Sequence, residues 1–208
     1  MARNLDSKCR ICRREREKLF LKGERCYSPK CAMIKKNYPP GLHGIKSAAR
    51  PTDYGLQLRE KQKLKRIYRI LEKQLKNYFK KAQKKKGDVG QNLLKMLELR
   101  LDNLIYRIGL FPSRNMARQA ISHGHVLVNK KRVNIPSYSV SVKKGEIIKF
   151  KEISLIKRLA EERKGKLEIP KWLSFDDKKL ELKLIEEPSE KDLPQNVNIK
   201  LIIEYYSR

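Results

Sequence analysis

Apolar side chains recur at intervals of three and four residues through the middle of the chain. One such stripe begins after Thr52 and Asp53, either of which is suited to cap a helix, and ends at Gly87. A second stripe runs from Leu93 to Ile108. The spacing therefore predicts two amphipathic helices, one on each side of Gly87.

Beyond the second stripe the apolar runs become shorter and their period changes. Ser113 is suited to cap a short helix that Gly124 ends, and Ser154 to Arg163 again has helical character. Strand-like stretches are HVLVN, KKRV, SVSVKKGEIIKF, Leu180–Ile185 and NIKLIIEYYS. The chain is thus predicted to be α+β, with an αα-β unit of about 60 residues in its middle.

Positive charge is concentrated toward the beginning of the chain. The formal net charge is +28; residues 1–87 hold 27 basic against 7 acidic residues, whereas residues 151–208 hold 13 against 12. Such a chain repels itself, which indicates a polyanionic partner: RNA, DNA or an anionic membrane surface. No run approaches the roughly 20 apolar residues that span a bilayer, and no signal-peptide core follows Met1. A membrane is therefore the least favoured partner, and a cytoplasmic location is expected.

All four cysteines lie in one basic segment near the beginning of the chain. Their spacing, C-x2-C-x13-C-x4-C, places two pairs of thiols at Cys9, Cys12, Cys26 and Cys31. Two such pairs are typical of a tetrahedral Zn²⁺ site, and four thiolates leave no open position for catalytic water. Residues 1–45 hold few large apolar side chains, so a single structural Zn²⁺ would supply the missing folding free energy. Two disulfides and a redox CxxC motif are the alternatives.

The first predicted helix carries cations opposite its apolar stripe. Few acidic residues stand where they could neutralise them along the helix, which favours phosphate contact over a merely solvated face. These cations are Lys61, Lys65, Arg66, Arg69, Lys73, Lys76 and Lys80.

An extended arm precedes this helix. The stretch YPPGLHG cannot be helical, and it offers Tyr38 and His43 for stacking on a base, although His43 is equally compatible with an exposed loop. The RNA-binding candidates in this first part of the chain are Arg3, Arg10, Arg13, Arg14, Lys22, Tyr38, His43, Arg50, Tyr54, Lys61, Lys65, Arg66 and Arg69.

The stretch RLDNLIYRIGLFPSRNMARQAISHGHVLVNKKRVNIPSYSVSVKKGEIIKF resembles the RNA-binding domain first recognised in the fourth protein of the small ribosomal subunit. Arg114 and Arg118, one helical turn apart, would present forked donors to phosphates. Gln119, His123, Asn129 and Arg132 complete the candidates in this domain, with helix capping as the alternative role of Gln119 and His123. One departure is that Lys130 or Lys131 replaces a family glycine, which puts the geometry of that turn in doubt.

The likeness extends over nearly the whole chain. CxxC…KGERCYSPKC, YPPGLHG, YGLQLREKQKLKRIY and IIEYYSR resemble, in order, the bacterial-type small-subunit ribosomal protein four family in its zinc-bearing form. The resemblance implies a zinc-knuckle arm over 1–45 and a helical RNA-binding domain over 46–96 that 165–208 completes. The small RNA-binding domain, 97–160, is then an insertion.

The resemblance also implies a function. A family member is expected to be a structural protein that binds the 5′ domain of 16S ribosomal RNA early in small-subunit assembly. It is expected to contact small-subunit protein five, to influence translational accuracy and, in some members, to repress its own messenger RNA. The protein is expected to be a monomer within a bacterial-type small subunit. That subunit would lie in a cytoplasm or in an organelle.

Two other classes of function compete with this interpretation. A base-modifying enzyme that carries the same RNA-binding domain would need a catalytic domain, and about 50 residues remain for one, with no convergent catalytic set visible. A DNA-binding zinc protein would be expected to place a recognition helix in a major groove, usually as a dimer. The sequence favours neither.

Overall fold

The computed structural model describes residues 4–45, 50–141, 145–163 and 169–208. Candidate Arg3 and the predicted turn at Lys144 lie outside them. Two 3-10 helices span Gly23–Cys26 and Glu190–Asp192. The helices and strands are α1 (Lys8–Glu15), α2 (Ala32–Lys35), α3 (Asp53–Ile67), α4 (Glu72–Gln83), α5 (Val89–Glu98), α6 (Leu101–Arg107), α7 (Arg114–Ser122), β1 (Val126–Val128), β2 (Lys131–Arg132), β3 (Ile147–Phe150), α8 (Ser154–Arg163), β4 (Leu173–Asp176), β5 (Glu181–Leu184) and α9 (Ile199–Ser207).

The chain folds into two compact units. The first comprises Met1–Leu93 together with Pro194–Arg208, and the second comprises Leu94–Leu193. The mixed helix and sheet content confirms the predicted α+β class.

In the first unit the long predicted helix is broken into α3 and α4. Thr52 caps α3 as predicted, because its side-chain oxygen accepts a hydrogen bond from the Gly55 amide at 3.2 Å. The break occurs where Arg69 adopts a left-handed φ of 57°. The fully buried Tyr68 and Ile70 flank this residue, so the turn adds apolar side chains to the core that a straight helix would expose.

The last segment of the chain is helix α9 and not the predicted strand. Asn198 caps it by accepting a hydrogen bond from the Lys200 amide at 3.2 Å. Ile202 is fully buried, and Tyr206 stacks on Phe79 of α4 with ring centroids 4.6 Å apart. A short apolar run such as IKLIIEYY fits both periods, and here packing against α3 and α4 selects the helix.

The second unit contains an antiparallel sheet in the order β2-β1-β3-β5-β4. Val126 pairs with Phe150, and Ile148 pairs with Leu182. These side chains share a buried core with apolar residues of α6, α7 and α8.

Two predicted boundaries differ in this unit. The helix predicted up to Ile108 is interrupted ahead of α6, because the buried Arg100 adopts an extended conformation and bridges to Ser139. The assignment of 165–208 to the helical domain is corrected for β4 and β5, because β5 pairs with β3. Because β4 and β5 belong to the same sheet as β1, β2 and β3, this sheet extends beyond the predicted 97–160 domain.

Candidate nucleic-acid interface and cysteine cluster

The cysteine-bearing arm brings its four thiols into one region. Cys9 and Cys12 lie on α1, Cys26 ends a 3-10 helix and Cys31 precedes α2. All four are free thiols, and all except Cys9 are buried. The backbone amide of Lys22 donates a hydrogen bond to Cys26 Sγ at 3.3 Å.

The electrostatics of Cys12 reflect this crowding. Burial raises the pKa of the Cys12 thiol, and the charges of Cys26, Cys9 and Cys31 raise this pKa further. Yet among the described residues no group of three or more His, Cys, Asp or Glu side chains is arranged to hold a metal ion. The predicted zinc knuckle is therefore not seen in the structure, although the donor set suits Zn²⁺.

Two of the predicted RNA-binding residues, Arg13 and Tyr38, are in contact with each other. The Arg13 guanidinium donates from Nε to the Tyr38 carbonyl oxygen at 2.9 Å and from Nη2 to the Pro39 carbonyl oxygen at 3.3 Å. The same guanidinium lies 4.6 Å from the centroid of the Tyr38 ring. This clamp fixes the start of the YPPGLHG arm against α1, whereas His43 is exposed.

A basic cleft of about 480 Å³ separates α1 from α3. It brings together four predicted RNA-binding cations, Arg10, Arg14, Lys65 and Arg66. Acidic residues line the cleft as well: Arg66 lies 3.3 Å from Asp6, and Arg59 lies 3.4 Å from Glu15. Burial raises the pKa of Glu15 and outweighs the opposing effect of Arg59.

Other predicted cations of α3 are engaged inside the protein. Lys61 is 4% exposed; its Nζ lies 2.7 Å from Glu72 and 4.1 Å from the centroid of the Tyr205 ring. Lys65 reaches the same Glu72 carboxylate at 3.0 Å. Arg69, also buried, donates to the Asn4 carbonyl oxygen at 2.7 Å. Few acidic residues neutralise these cations along the helix, as predicted, but Glu72 and Asp6 reach Lys61, Lys65 and Arg66 from outside α3.

An exposed basic surface lies on α4 and just beyond it. Lys73, Lys76, Lys80 and Lys84 follow at intervals of three and four, so they share one face. Within the described ranges none of these lysines has an acidic partner. Lys73, Lys76 and Lys80 belong to the face for which the sequence predicts phosphate contact, although the RNA-binding candidates named individually in this part of the chain stop at Arg69. The α4 lysine row, as we call this surface, consists of Lys73, Lys76, Lys80 and Lys84 together with their exposed neighbours Lys81, Lys85 and Lys86.

The second unit holds its two predicted arginines differently. Ser113 caps α7 by accepting a hydrogen bond from the Met116 amide. Arg114 donates from Nε to Asn103 Oδ1 at 2.8 Å, and its guanidinium lies 4.3 Å from the centroid of the Tyr106 ring. Arg118 is 6% exposed. The expectation that both guanidinium groups face phosphates is corrected for Arg118.

A buried acidic network explains this arrangement. The carboxylate of Asp102 lies 2.8 Å from the Arg100 guanidinium and 3.7 Å from that of Arg118. The fully buried Glu98 accepts hydrogen bonds from Asn103 at 2.7 Å and from Arg107 at 2.7 and 2.8 Å. Both acids thus lie among guanidinium and amide donors, which offsets their burial.

The remaining candidates of this unit lie at the end of α7 and in the turn after β1. Gln119 and His123 are exposed and line a cleft of about 130 Å³ that is otherwise mostly apolar. Burial and the neighbouring His123 lower the pKa of His125 in the same cleft. Arg132 lies across Gly124, where a Cβ would come within 1.9 Å of its Nε, and donates to the His123 carbonyl oxygen.

The turn that lacks the family glycine is left-handed at two successive residues. Asn129 has a φ of 48° and Lys130 a φ of 66°. Asn129 Oδ1 accepts a hydrogen bond from the Ile147 amide at 2.9 Å, so this side chain ties β1 to β3. Lys130 occupies a conformation that glycine adopts more easily.

Three other predicted residues of the first unit are exposed or half-exposed. Arg50 and Lys22 are exposed, and Tyr54 is 48% exposed. The Tyr54 ring packs on Tyr205 with centroids 5.8 Å apart.

In the part of the chain that the structure describes, no helix is long and apolar enough to cross a membrane.

Comparison with known families matches both parts of the chain. The model of the ribosomal protein S4/S9 N-terminal domain matches residues 3–98, and that of the S4 domain matches residues 99–148. Proteins named small ribosomal subunit protein uS4 are similar over the full length of both chains. They include those of Halothermothrix orenii, at 53% identity, Thermus thermophilus, at 50%, and Nitrosospira multiformis, at 49%.

Proposed function

The chain belongs to the uS4 family of small ribosomal subunit proteins, and from this premise we propose that it is a structural, non-catalytic constituent of that subunit. It binds the 5′ domain of 16S ribosomal RNA early in assembly. It works as a monomer within a bacterial-type ribosome in the cytoplasm.

The observation that carries the proposal is the α4 lysine row. Its side chains are exposed, and within the described residues they have no acidic partners. Ammonium groups of this kind neutralise phosphates and release condensed counterions, which is the main sequence-independent source of affinity for nucleic acid. The basic cleft between α1 and α3 offers a second cationic surface in the same unit.

The second unit supports selectivity for RNA. Arg114 is held on its Tyr106 platform by Asn103, so its guanidinium is oriented before any RNA arrives. Gln119 and His123 add exposed hydrogen-bonding groups toward the C-terminal end of the same helix. Because side chains cannot read the deep major groove of A-form RNA, specificity should come from RNA shape and unpaired bases.

The proposal includes one structural Zn²⁺ held by Cys9, Cys12, Cys26 and Cys31. The C-x2-C-x13-C-x4-C spacing and the free state of all four thiols support it. Four-thiolate Zn²⁺ contributes folding free energy and has no open coordination position for catalysis.

Chelation tests the metal separately from the RNA. Removal of Zn²⁺ should abolish amide-exchange protection in residues 4–36 and leave protection unchanged in α6, α7 and the sheet. Purified protein without stoichiometric zinc, or an arm equally protected after chelation, would contradict the metal site.

Two further roles are proposed from family membership alone. The chain contacts small-subunit protein five and through this contact influences translational accuracy. It also represses its own messenger RNA. Co-purification with protein five and a reporter that carries the chain's own leader RNA test these roles.

The direct experiment is a salt titration of binding to a 16S 5′-domain transcript, with a scrambled structured RNA as competitor. A basic protein binds any RNA at low salt, so the selectivity that persists at high salt is informative. The proposal predicts a preference of several orders of magnitude for the 5′-domain RNA. Equal binding that fades together for both RNAs would instead indicate a general RNA clamp.

A further inference from the structure

Two aromatic rings of the cysteine arm are paired on its surface. The rings of Phe20 and Tyr27 have centroids 5.0 Å apart and an interplanar angle of 30°. Phe20 is 36% exposed and Tyr27 is 73% exposed. Rings of this size are usually found with most of their surface buried, so an exposed pair points to an interaction surface.

The backbone holds the Phe20 ring outward. Leu19 and Leu21, on either side, are 3% and 5% exposed, so alternation sends the ring between them toward solvent. Phe20 also has a left-handed φ of 50°. Bulky residues rarely adopt this conformation, and strain of this kind clusters at functional sites.

Tyr27 is fixed by the cysteine cluster. It follows Cys26 directly and caps the 3-10 helix, with its amide donating to the Glu24 carbonyl oxygen at 3.0 Å. The Lys22 amide in turn donates to Cys26 Sγ, which connects the segment of one ring to the segment of the other. The two rings are therefore presented together as one surface.

The basic residues near the two rings in the sequence indicate an anionic partner. Phe20 is flanked by Lys18 and Lys22, and Tyr27 by Arg25 and Lys30. Of these four cations, all but the half-buried Lys18 are exposed. Glu24 is the one acidic residue between the two rings in the sequence. Exposed rings in a predominantly basic segment suit unpaired nucleotides, because bases stack on rings while cations neutralise the phosphates.

We propose that the Phe20–Tyr27 ring pair is a stacking platform for an unpaired base of RNA. The inference rests on the proposed RNA-binding function and adds a contact in the cysteine arm, outside the RNA-binding unit. It assigns the arm a direct part in reading unpaired RNA.

The test compares an RNA hairpin with a long unpaired loop and a fully paired RNA duplex of the same charge. The main variant is Phe20→Leu with Tyr27→Leu, which keeps apolar bulk and removes both π faces. Stacking contributes about 1–3 kcal/mol per base, so the variant should bind the hairpin roughly 5- to 150-fold more weakly. Duplex affinity and the dependence of affinity on salt should not change.

Two control variants complete the design. Phe20→Tyr with Tyr27→Phe keeps both rings and should bind the hairpin like the wild type. Ile34→Ala removes an exposed aliphatic side chain from the same arm and should also have no effect. If the double leucine variant loses arm structure by circular dichroism, the single Tyr27→Leu change, at the more exposed ring, replaces it.

Equal hairpin affinity of the leucine variant and the wild type would overturn the inference, as would an equal loss on hairpin and duplex. Neither outcome depends on selectivity for 16S RNA. A wild type that shows hairpin stacking but no 5′-domain preference would contradict the proposed function and keep the platform.

Discussion

Helices α3 and α4 are adjacent in sequence and similarly rich in lysine and arginine, but their cations have different environments. On α3, Lys61 and Lys65 share the carboxylate of Glu72, and Arg66 pairs with Asp6. On α4, the lysine row is exposed and lacks acidic partners among the described residues. Charge counted along a helix therefore does not locate an RNA-binding face, because partners arrive from elsewhere in the chain.

The largest effect is expected from the α4 lysine row. The triple change Lys76→Ala, Lys80→Ala and Lys84→Ala should weaken 5′-domain binding about 100-fold at moderate salt, because each phosphate contact adds roughly 0.7–0.9 to the salt slope. Filter binding across a salt series measures both quantities, and the free energy of unfolding should hardly change.

A matched triple change controls for net charge. Lys149→Ala, Lys157→Ala and Arg158→Ala remove the same charge from residues that form ion pairs within the second unit. This control should lower RNA affinity far less than the α4 variant. Equal losses would mean that total charge, and not the α4 surface, determines binding.

The reverse result is expected on α3. Lys61→Ala removes a cation that is 4% exposed and leaves Glu72 with Lys65 and the Tyr206 hydroxyl as partners. The free energy of unfolding should fall by about 2 kcal/mol, less than for a fully buried pair because Glu72 is partly exposed. Urea denaturation measures this change. RNA affinity of the folded variant should stay within a few-fold of the wild type, and a large loss would place Lys61 at the RNA.

The pH dependence of stability reports on the same carboxylate. Burial raises the pKa of Glu72, but hydrogen bonds from Lys61 and Lys65 outweigh this and hold the pKa below its ordinary value of 4.5. Glu72 therefore stabilises the fold fully above that ordinary value, and its contribution is lost as pH falls through the folded-state pKa. The stability difference between wild type and Glu72→Gln should thus be largest near neutral pH and vanish in acid. A difference that is constant with pH would contradict the Lys61–Glu72–Lys65 arrangement.

The smallest effect is expected at Lys130, where the backbone conformation and not the charge of the side chain should determine the change in stability. Lys130 is left-handed in the turn after β1, so Lys130→Gly should raise the free energy of unfolding by about 0.5–1 kcal/mol. Thermal unfolding of Lys130→Gly beside Lys130→Ala separates backbone relief from loss of charge. If alanine stabilises as much as glycine, strain at this turn is not the cause.

Much of the fold could be predicted where local signals and long-range packing agree. The caps at Thr52 and Ser113 are seen as predicted. The strand predicted over Leu180–Ile185 is β5. The motif that resembles an RNA-binding domain is recognisable in the sequence because its residues perform local structural tasks, as Asn129 does between β1 and β3.

The sequence-based predictions fail where contacts with residues distant in the sequence determine the local structure. The break at Arg69, the helical state of α9 and the pairing of β5 with β3 each depend on packing partners that local periodicity does not reveal. The burial of Arg118 likewise depends on Asp102, and that of Lys61 on Glu72 and Tyr205. Candidate residues chosen by type and spacing therefore included cations that serve the fold.

Lysine acetylation in the presence and absence of RNA tests the central claim most directly. In the free protein the α4 lysine row should react quickly, and the buried Lys61 slowly. Addition of the 16S 5′-domain transcript should protect the α4 lysine row, whereas a scrambled RNA at the same salt concentration should not. An α4 lysine row that stays fully reactive when the 5′-domain RNA is bound would contradict the account.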